Sequence, residues 1–223
     1  MKRCLQSHLL ALACCWWLTL LPPVLGLLLG WEAAAALGAH TRRVGPAEAR
    51  SALALVLEVR HFVPLAGAAW AAAFLGAEFD GRAAVFPLCR GFSRFQVFGS
   101  RLLLYSLGCA LISAAAQLTS ALAAVSGWRQ LPVGFLLRCF FLRLAIDLGM
   151  MAPSAAIVCF AGASLYGRAL AGLYGLLLWR LMGSHYGLWL PEAGTSGLIA
   201  FWPLAALPLG LLGCFLTLRR REF

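Results

Sequence analysis

The chain has 223 residues, 62% of them hydrophobic and only 12% charged, and 18 Lys and Arg against 8 Asp and Glu give a formal net charge of +10. A soluble domain is about a quarter charged, and a helix that spans a bilayer needs about 20 mainly apolar residues. The composition therefore excludes an ordinary water-soluble enzyme. It points to an all-α, polytopic membrane protein, a single transmembrane domain over residues 1–223 with no length left for a separate soluble domain.

The basic side is almost wholly arginine, because Lys2 is the only lysine. There is no asparagine, which removes any N-glycosylation acceptor. The bias to Ala, Gly, Leu and Arg fits a GC-rich coding sequence and a bacterial source. The eight cysteines form no CxxC or Cys/His spacing, and most sit inside apolar runs, so they read as small packing residues.

Residues 9–29 are the first apolar run, after Lys2 and Arg3. It is longer than the about 7–15 residues of a signal-peptide core, so a retained span is expected, kinked at Pro22 and Pro23. A polar loop, Gly38 to Arg50, leads to a second span over 53–77. The stretch 78–101, EFDGRAAVFPLCRGFSRFQVFGSR, comes next, then a third span over 102–125. The fourth span is expected over 138–165, a three-residue link Tyr166–Gly167–Arg168 joins it to a fifth over 169–183, and a sixth covers 198–218 before RRREF.

Six spans place both termini on one side. Lys2, Arg3, Arg82, Arg90, Arg94, Arg101, Arg168 and Arg219 to Arg221 share that side, against Arg42, Arg43, Arg50 and Arg129 on the other. The positive-inside rule then puts both termini in the cytosol of a cell-membrane (inner or plasma membrane), multi-pass protein, and Trp31, Trp128 and Trp189 near the outer interface.

The 78–101 stretch interleaves Arg82, Arg90, Arg94 and Arg101 with Phe86, Phe92, Phe95 and Phe98. Ser93 followed by Gln96 is a capping box, so a helix should start there and continue into the third span. Asp80 could cap a short preceding helix ending near Leu88, with Pro87 and Gly91 marking the turn. Arg94 falls in a first helical turn, where a cation opposes the helix dipole and calls for an external anion. Two sources stand: membrane lipids, at about 1 kcal/mol per juxtamembrane Arg or Lys, or an acidic partner surface with phenylalanines as anchors.

Glu78, Gly81, Pro87, Leu88, Gly91, Ser93, Arg94, Val97 and Arg101 occupy the positions of a motif that resembles the cytosolic loop of type-2 ABC transporter permeases. In that motif an acidic residue and a Gly end the second span, and a "pl.rG.sR..v...K/R" pattern enters the third. The six-span plan and the Pro-containing LWLPEAG segment before the last span are similar over most of the chain. The resemblance implies a dimer of six-helix subunits, with a second copy or a paralogue. It also implies that 78–101 acts as a coupling helix against a separate ABC ATPase, through Glu78, Arg82, Pro87, Arg90, Gly91, Ser93, Arg94, Phe95 and Arg101, joined by Tyr166 to Arg168.

A P-loop needs its lysine on the β/γ-phosphates, and Lys2 follows no Gly-rich loop. The chain is therefore not expected to be an enzyme or to bind a cofactor; ATP would be used by the partner subunit. No nucleic-acid partner and no metal site are expected.

Arg143 and Asp147 are spaced to pair on one helix face, and Glu58 and Arg60 lie in the outer half of the second span. Charges at membrane depth mark helix-packing pairs or polar translocation paths, and both readings stand for these four. Arg138 and Arg180 are expected to snorkel to headgroups. Gly162–Ala163–Ser164 is similar to the serine motif of membrane serine proteases. However, His185 should lie roughly 30 Å from Ser164, too far for a dyad. The expected function is the permease subunit of an ATP-driven exporter. The alternatives are an ion-coupled secondary transporter, for which Asp147 is the one acidic residue deep in a span, and a non-transporting assembly or sensor protein.

Overall fold

The structure, a computed structural model, describes residues 20–31, 62–80, 91–123, 133–161, 165–184 and 202–220. These form an all-α, six-helix bundle: α1 Leu20–Trp31, α2 Val63–Asp80, α3 Arg94–Ala123, α4 Val133–Ala161, α5 Leu165–Ser184 and α6 Trp202–Arg220. Parts of the expected spans at 9–19, 53–61 and 198–201 lie outside the described residues, as does the connection 81–90.

Two segments among the described residues, Phe95–Thr119 and Phe140–Ala161, are long and apolar enough to cross a membrane. Leu20–Trp31, Val63–Gly76 and Pro203–Thr217 are apolar but shorter. At 1.5 Å per residue, α3 and α4 are each roughly 45 Å long. Both exceed a hydrocarbon core of about 30 Å.

Side-chain contacts show an alternating up-and-down order. Gly26 and Gly30 of α1 meet Ala115 and Thr119 of α3, so those two helices run in parallel. Trp70 Nε1 of α2 donates to the Tyr105 carbonyl of α3, and Ser113 Oγ of α3 donates to Asp147 Oδ2 of α4. Tyr105 reaches Met151, farther along α4, so α3 and α4 are antiparallel. Gly149 of α4 meets Pro203 of α6, and Gly210 meets Ala152, so α4 and α6 run together. Phe62 at the head of α2 packs on Trp179 at the tail of α5, with ring centroids 5.6 Å apart. One end of the bundle thus gathers the ends of α2, α4 and α6 with the starts of α3 and α5 (the Arg94 end). Trp31 lies at the other.

α4 is the centre of the bundle and makes its most extensive contact with α6. Gly149 permits this, because a Cβ there would run into the Pro203 carbonyl. Pro153 lies inside α4. A helical proline removes the N–H that would serve the carbonyl four residues back, here that of Gly149. Tyrosines from the flanking helices donate into the same turn: Tyr105 Oη to the Met151 carbonyl at 2.8 Å and Tyr174 Oη to the Met150 carbonyl at 3.1 Å. Such outside donors let membrane helices tolerate proline.

The surface, rather than the interior, sets the bundle apart from a water-soluble domain: the core is hydrophobic with a few polar groups inside it, and the exterior is apolar as well. Ser100, Arg101, Ser113, Gln117, Arg143, Asp147 and Ser154 are buried. Leu103, Leu107, Leu111 and Leu118 of α3 face outward, as do leucines 170, 173, 176, 177 and 181 of α5 and leucines 209, 212 and 216 of α6. A soluble monomer rarely exposes contiguous apolar patches larger than a few hundred Å².

Element boundaries differ from expectation in ways the chemistry explains. α3 starts eight residues before 102, because the Ser93–Gln96 box nucleates it. Asp80 is the last residue of α2, which also carries Glu78, and the short helix that Asp80 was expected to cap lies outside the described residues. Tyr166 and Arg168, expected in a link between spans, lie in the first turn of α5.

Candidate functional site

The entry to α3 is built from four residues. Gly91 has φ 79°, a left-handed conformation that a residue with a Cβ adopts at a steric cost. The chain then turns through Phe92 to Ser93, which is the N-cap. Gln96 N donates to Ser93 Oγ at 3.2 Å, and Ser93 N donates to Gln96 Oε1 at 3.1 Å. The reciprocal box satisfies two of the four N–H groups a helix start leaves open, and Val97 N closes the first turn on the Ser93 carbonyl at 3.1 Å. Such a cap contributes about 1 kcal/mol. It also fixes the angle at which the chain enters the helix.

Phe95 stands in this first turn, 61% exposed. Its ring meets Phe215 of α6 edge-on, with centroids 5.7 Å apart and planes at 78°. Ser93 and Gly91 are exposed beside it. Arg94 opens α3. Arg82, Pro87 and Arg90 lie outside the described residues. Arg101 sits apart from this surface: it is only 2% exposed, with its guanidinium 6.0 Å from the Phe98 ring centroid. It belongs to the bundle interior rather than to the exposed turn. Tyr166 is exposed at the same end, while the Arg168 guanidinium lies directly against Gly76 of α2, where no Cβ intervenes.

The second constellation is internal. Arg143 Nε lies 2.7 Å from Asp147 Oδ1, one turn apart on α4, at 1% and 0% side-chain exposure. The approach is an ion-pair contact rather than an aligned hydrogen bond. The other carboxylate oxygen, Oδ2, accepts from Ser113 Oγ at 2.6 Å, and Gln117 Nε2 donates to Ser113 Oγ at 3.1 Å. A chain of polar groups thus runs Gln117, Ser113, Asp147, Arg143 and ties α3 to α4. Glu58 and Arg60, the other charges expected in a polar path, lie outside the described residues. Arg138 and Arg180 are exposed on the bundle surface, where their long side chains can reach headgroups.

The i,i+4 spacing announces Arg143 and Asp147, but nothing in a single apolar run identifies their partners. Ser113 and Gln117 also have i,i+4 spacing, and two polar residues so placed in an otherwise oily span were the available signal. Phe215 carried none. Among the described residues there is no group of three or more His, Cys, Asp or Glu placed to hold a metal ion. No protein-family model, curated protein or solved structure matches this chain.

Proposed function

We propose that this chain is the membrane-spanning permease subunit of an ATP-driven exporter, dimeric with a second copy or paralogue and coupled at its Arg94 end to a separate ABC ATPase. The observation that carries the reading is an exposed aromatic turn, capped by Ser93 and Gln96, at one end of a bundle that is apolar outside and holds a chain of polar groups within its hydrophobic core. An outward leucine surface on α3, α5 and α6 suits hydrocarbon, and buried Arg143 and Asp147 are where charges sit in a membrane bundle. The resemblance of the 78–101 motif to the type-2 permease loop supports this class, and a sequence without a P-loop lysine supports a reading in which ATP is hydrolysed by a separate subunit.

The geometry supports a mechanical role for the turn. Because the capping box makes residues 93–96 continuous with α3, a push on the exposed Phe95 is transmitted along a helix rather than absorbed by a loop. α3 is tied to α4 by Ser113–Asp147 and by Tyr105–Met151, so the displacement reaches the centre of the bundle. ATP binding and hydrolysis by the partner would tilt α3 and α4 as a unit and alternate access to the path. Both ends of the pathway, and its cargo, are left to substrate profiling, since a fold does not name a substrate.

The test is whether a neighbouring reading frame encodes a P-loop ATPase and whether that protein co-purifies with this chain; an orphan gene would count against the reading. Changing Arg90, Arg94 and Phe95 together to Ala is expected to reduce the captured ATPase about tenfold or more, since aromatic and Arg anchors are each worth about 2 kcal/mol or more at interface centres. Undiminished capture by the triple variant would remove the coupling role from this turn.

A further inference from the structure

Three donors converge on the Met150 carbonyl of α4, which has lone pairs for two of them. Met150 lies inside the continuous helix α4, so one lone pair serves the Ser154 N–H in the helical ladder. The other accepts from Tyr174 Oη of α5 at 3.1 Å. Ser154 also carries a hydroxyl. Away from water, the ordinary acceptor of a helical serine hydroxyl is the carbonyl four residues back, here the same Met150 carbonyl. Ser154 is 0% exposed, and among the described residues its Oγ has no hydrogen-bond partner. We propose that Ser154 and Tyr174 alternate as hydroxyl donors to the Met150 carbonyl, so that this turn of α4 is a two-position latch between α4 and α5. The inference does not depend on the exporter reading.

The turn suits such an exchange. Pro153 has no N–H for the Gly149 carbonyl, so the ladder is already interrupted beside Met150. A serine bonded to the carbonyl four residues back bends its helix, and proline breaks are where helices bend most readily. Each position leaves one hydroxyl unpaired, Ser154 in one and Tyr174 in the other. The penalty for an unmade bond therefore falls on both positions and does not favour either strongly.

The neighbouring contacts decide which helices part. Tyr105 Oη donates to the next carbonyl, Met151, at 2.8 Å and keeps α3 with α4 in both positions. α5 lies on α2, where Gly175 sits against Pro64, Leu65 and Ala68 and where Phe62 meets Trp179. With Tyr174 on Met150, as in this structure, α5 is bonded to α4. With Ser154 on Met150, α4 serves its own carbonyl, and α5 is free to shift with α2 against the α3–α4 pair.

The experiment labels methionine with stable isotopes at its carbonyl carbon and amide nitrogen in the full chain in nanodiscs. Met150–Met151 is the only Met–Met pair in the sequence, so a carbonyl-to-nitrogen correlation spectrum reports the Met150 carbonyl alone. Wild type, Ser154→Ala, Tyr174→Phe and the double variant are compared, each checked for folding by size exclusion and circular dichroism. Each substitution removes one hydroxyl and little else. The Met150 resonance of the wild type is expected between those of the two single variants, with the double variant at a separate position. The amide of Met182, on α5, is read from the same sample and is expected to differ between Tyr174→Phe and Ser154→Ala. Identical Met150 resonances in Tyr174→Phe and the double variant would mean that Ser154 never takes this carbonyl, and would overturn the inference. Coincidence of the wild type with Ser154→Ala would overturn it as well, because the serine-bonded position would then be unpopulated in the intact chain. A moving Met150 carbonyl with a fixed Met182 amide would show donor exchange without release of α5, and would overturn the latch.

Discussion

Asp147→Leu is expected to lower the unfolding free energy of the chain by about 3–5 kcal/mol, the usual result of removing one partner from a buried ion pair. The carboxylate is 0% exposed and serves Arg143 on its own helix and Ser113 on α3. Its loss removes the ion-pair carboxylate from a guanidinium that is 1% exposed and opens the hydrogen-bonded chain from Gln117. Arg143→Leu/Asp147→Leu should recover most of that stability, because replacing both members by apolar groups of similar volume is often neutral. Ser113→Ala should cost far less, about 0.6 kcal/mol, the average for an interhelical hydrogen bond in a membrane bundle. Unfolding by sodium dodecyl sulfate from mixed micelles measures all three, and an Asp147→Leu midpoint equal to wild type would contradict the clasp. The double variant also divides the two readings of the pair. On the proposed export function, restored stability with lost export would make Arg143 and Asp147 part of the path, whereas restored stability with normal export would make them a packing device.

Gly149→Val is expected to separate α4 from α6. The added Cβ would strike the Pro203 carbonyl and lie 2.9 Å from the Pro203 Cβ, and both belong to a rigid residue that cannot rotate away. Overpacking of this kind costs about 1–3 kcal/mol, and here it falls on the most extensive helix contact in the bundle. Gly134→Ala is the control, since a Cβ there meets nothing within 4 Å. The same denaturation measurement should show a lowered midpoint for Gly149→Val and none for Gly134→Ala; two unchanged midpoints would mean that α4 and α6 do not meet at this glycine.

The sequence made the helices, their order and the start of α3 legible, for local physical reasons. Apolar runs of sufficient length become helices because no other structure satisfies their backbone away from water, and Ser93 with Gln96 announces a cap at a three-residue spacing that the structure realises at both hydrogen bonds. What was not legible is tertiary. Nearly uniform hydrophobicity around α2, α3 and α4 leaves no periodicity to say which face turns inward. The pairing of Ser113 with Asp147, of Phe95 with Phe215 and of Gly149 with Pro203 depends on how helices lie side by side. Arg101 shows the limit most clearly. Its seven-residue spacing from Arg94 places both near one face of α3, yet α3 enters the bundle between them and Arg101 is buried.

The central claim is that the alternating helices cross a bilayer with the Arg94 end in the cytosol. Trp31 and Tyr166 report on opposite ends of the bundle and are 74% and 79% exposed, so a cysteine at either is open to reagent without disturbing the core. Trp31→Cys and Tyr166→Cys are each labelled with a membrane-impermeant maleimide in intact cells and in inverted vesicles, against the background of the unsubstituted chain. The account predicts that Trp31→Cys reacts in intact cells and Tyr166→Cys only in inverted vesicles. Reaction of both from the same side, or of Tyr166→Cys from outside intact cells, would contradict it.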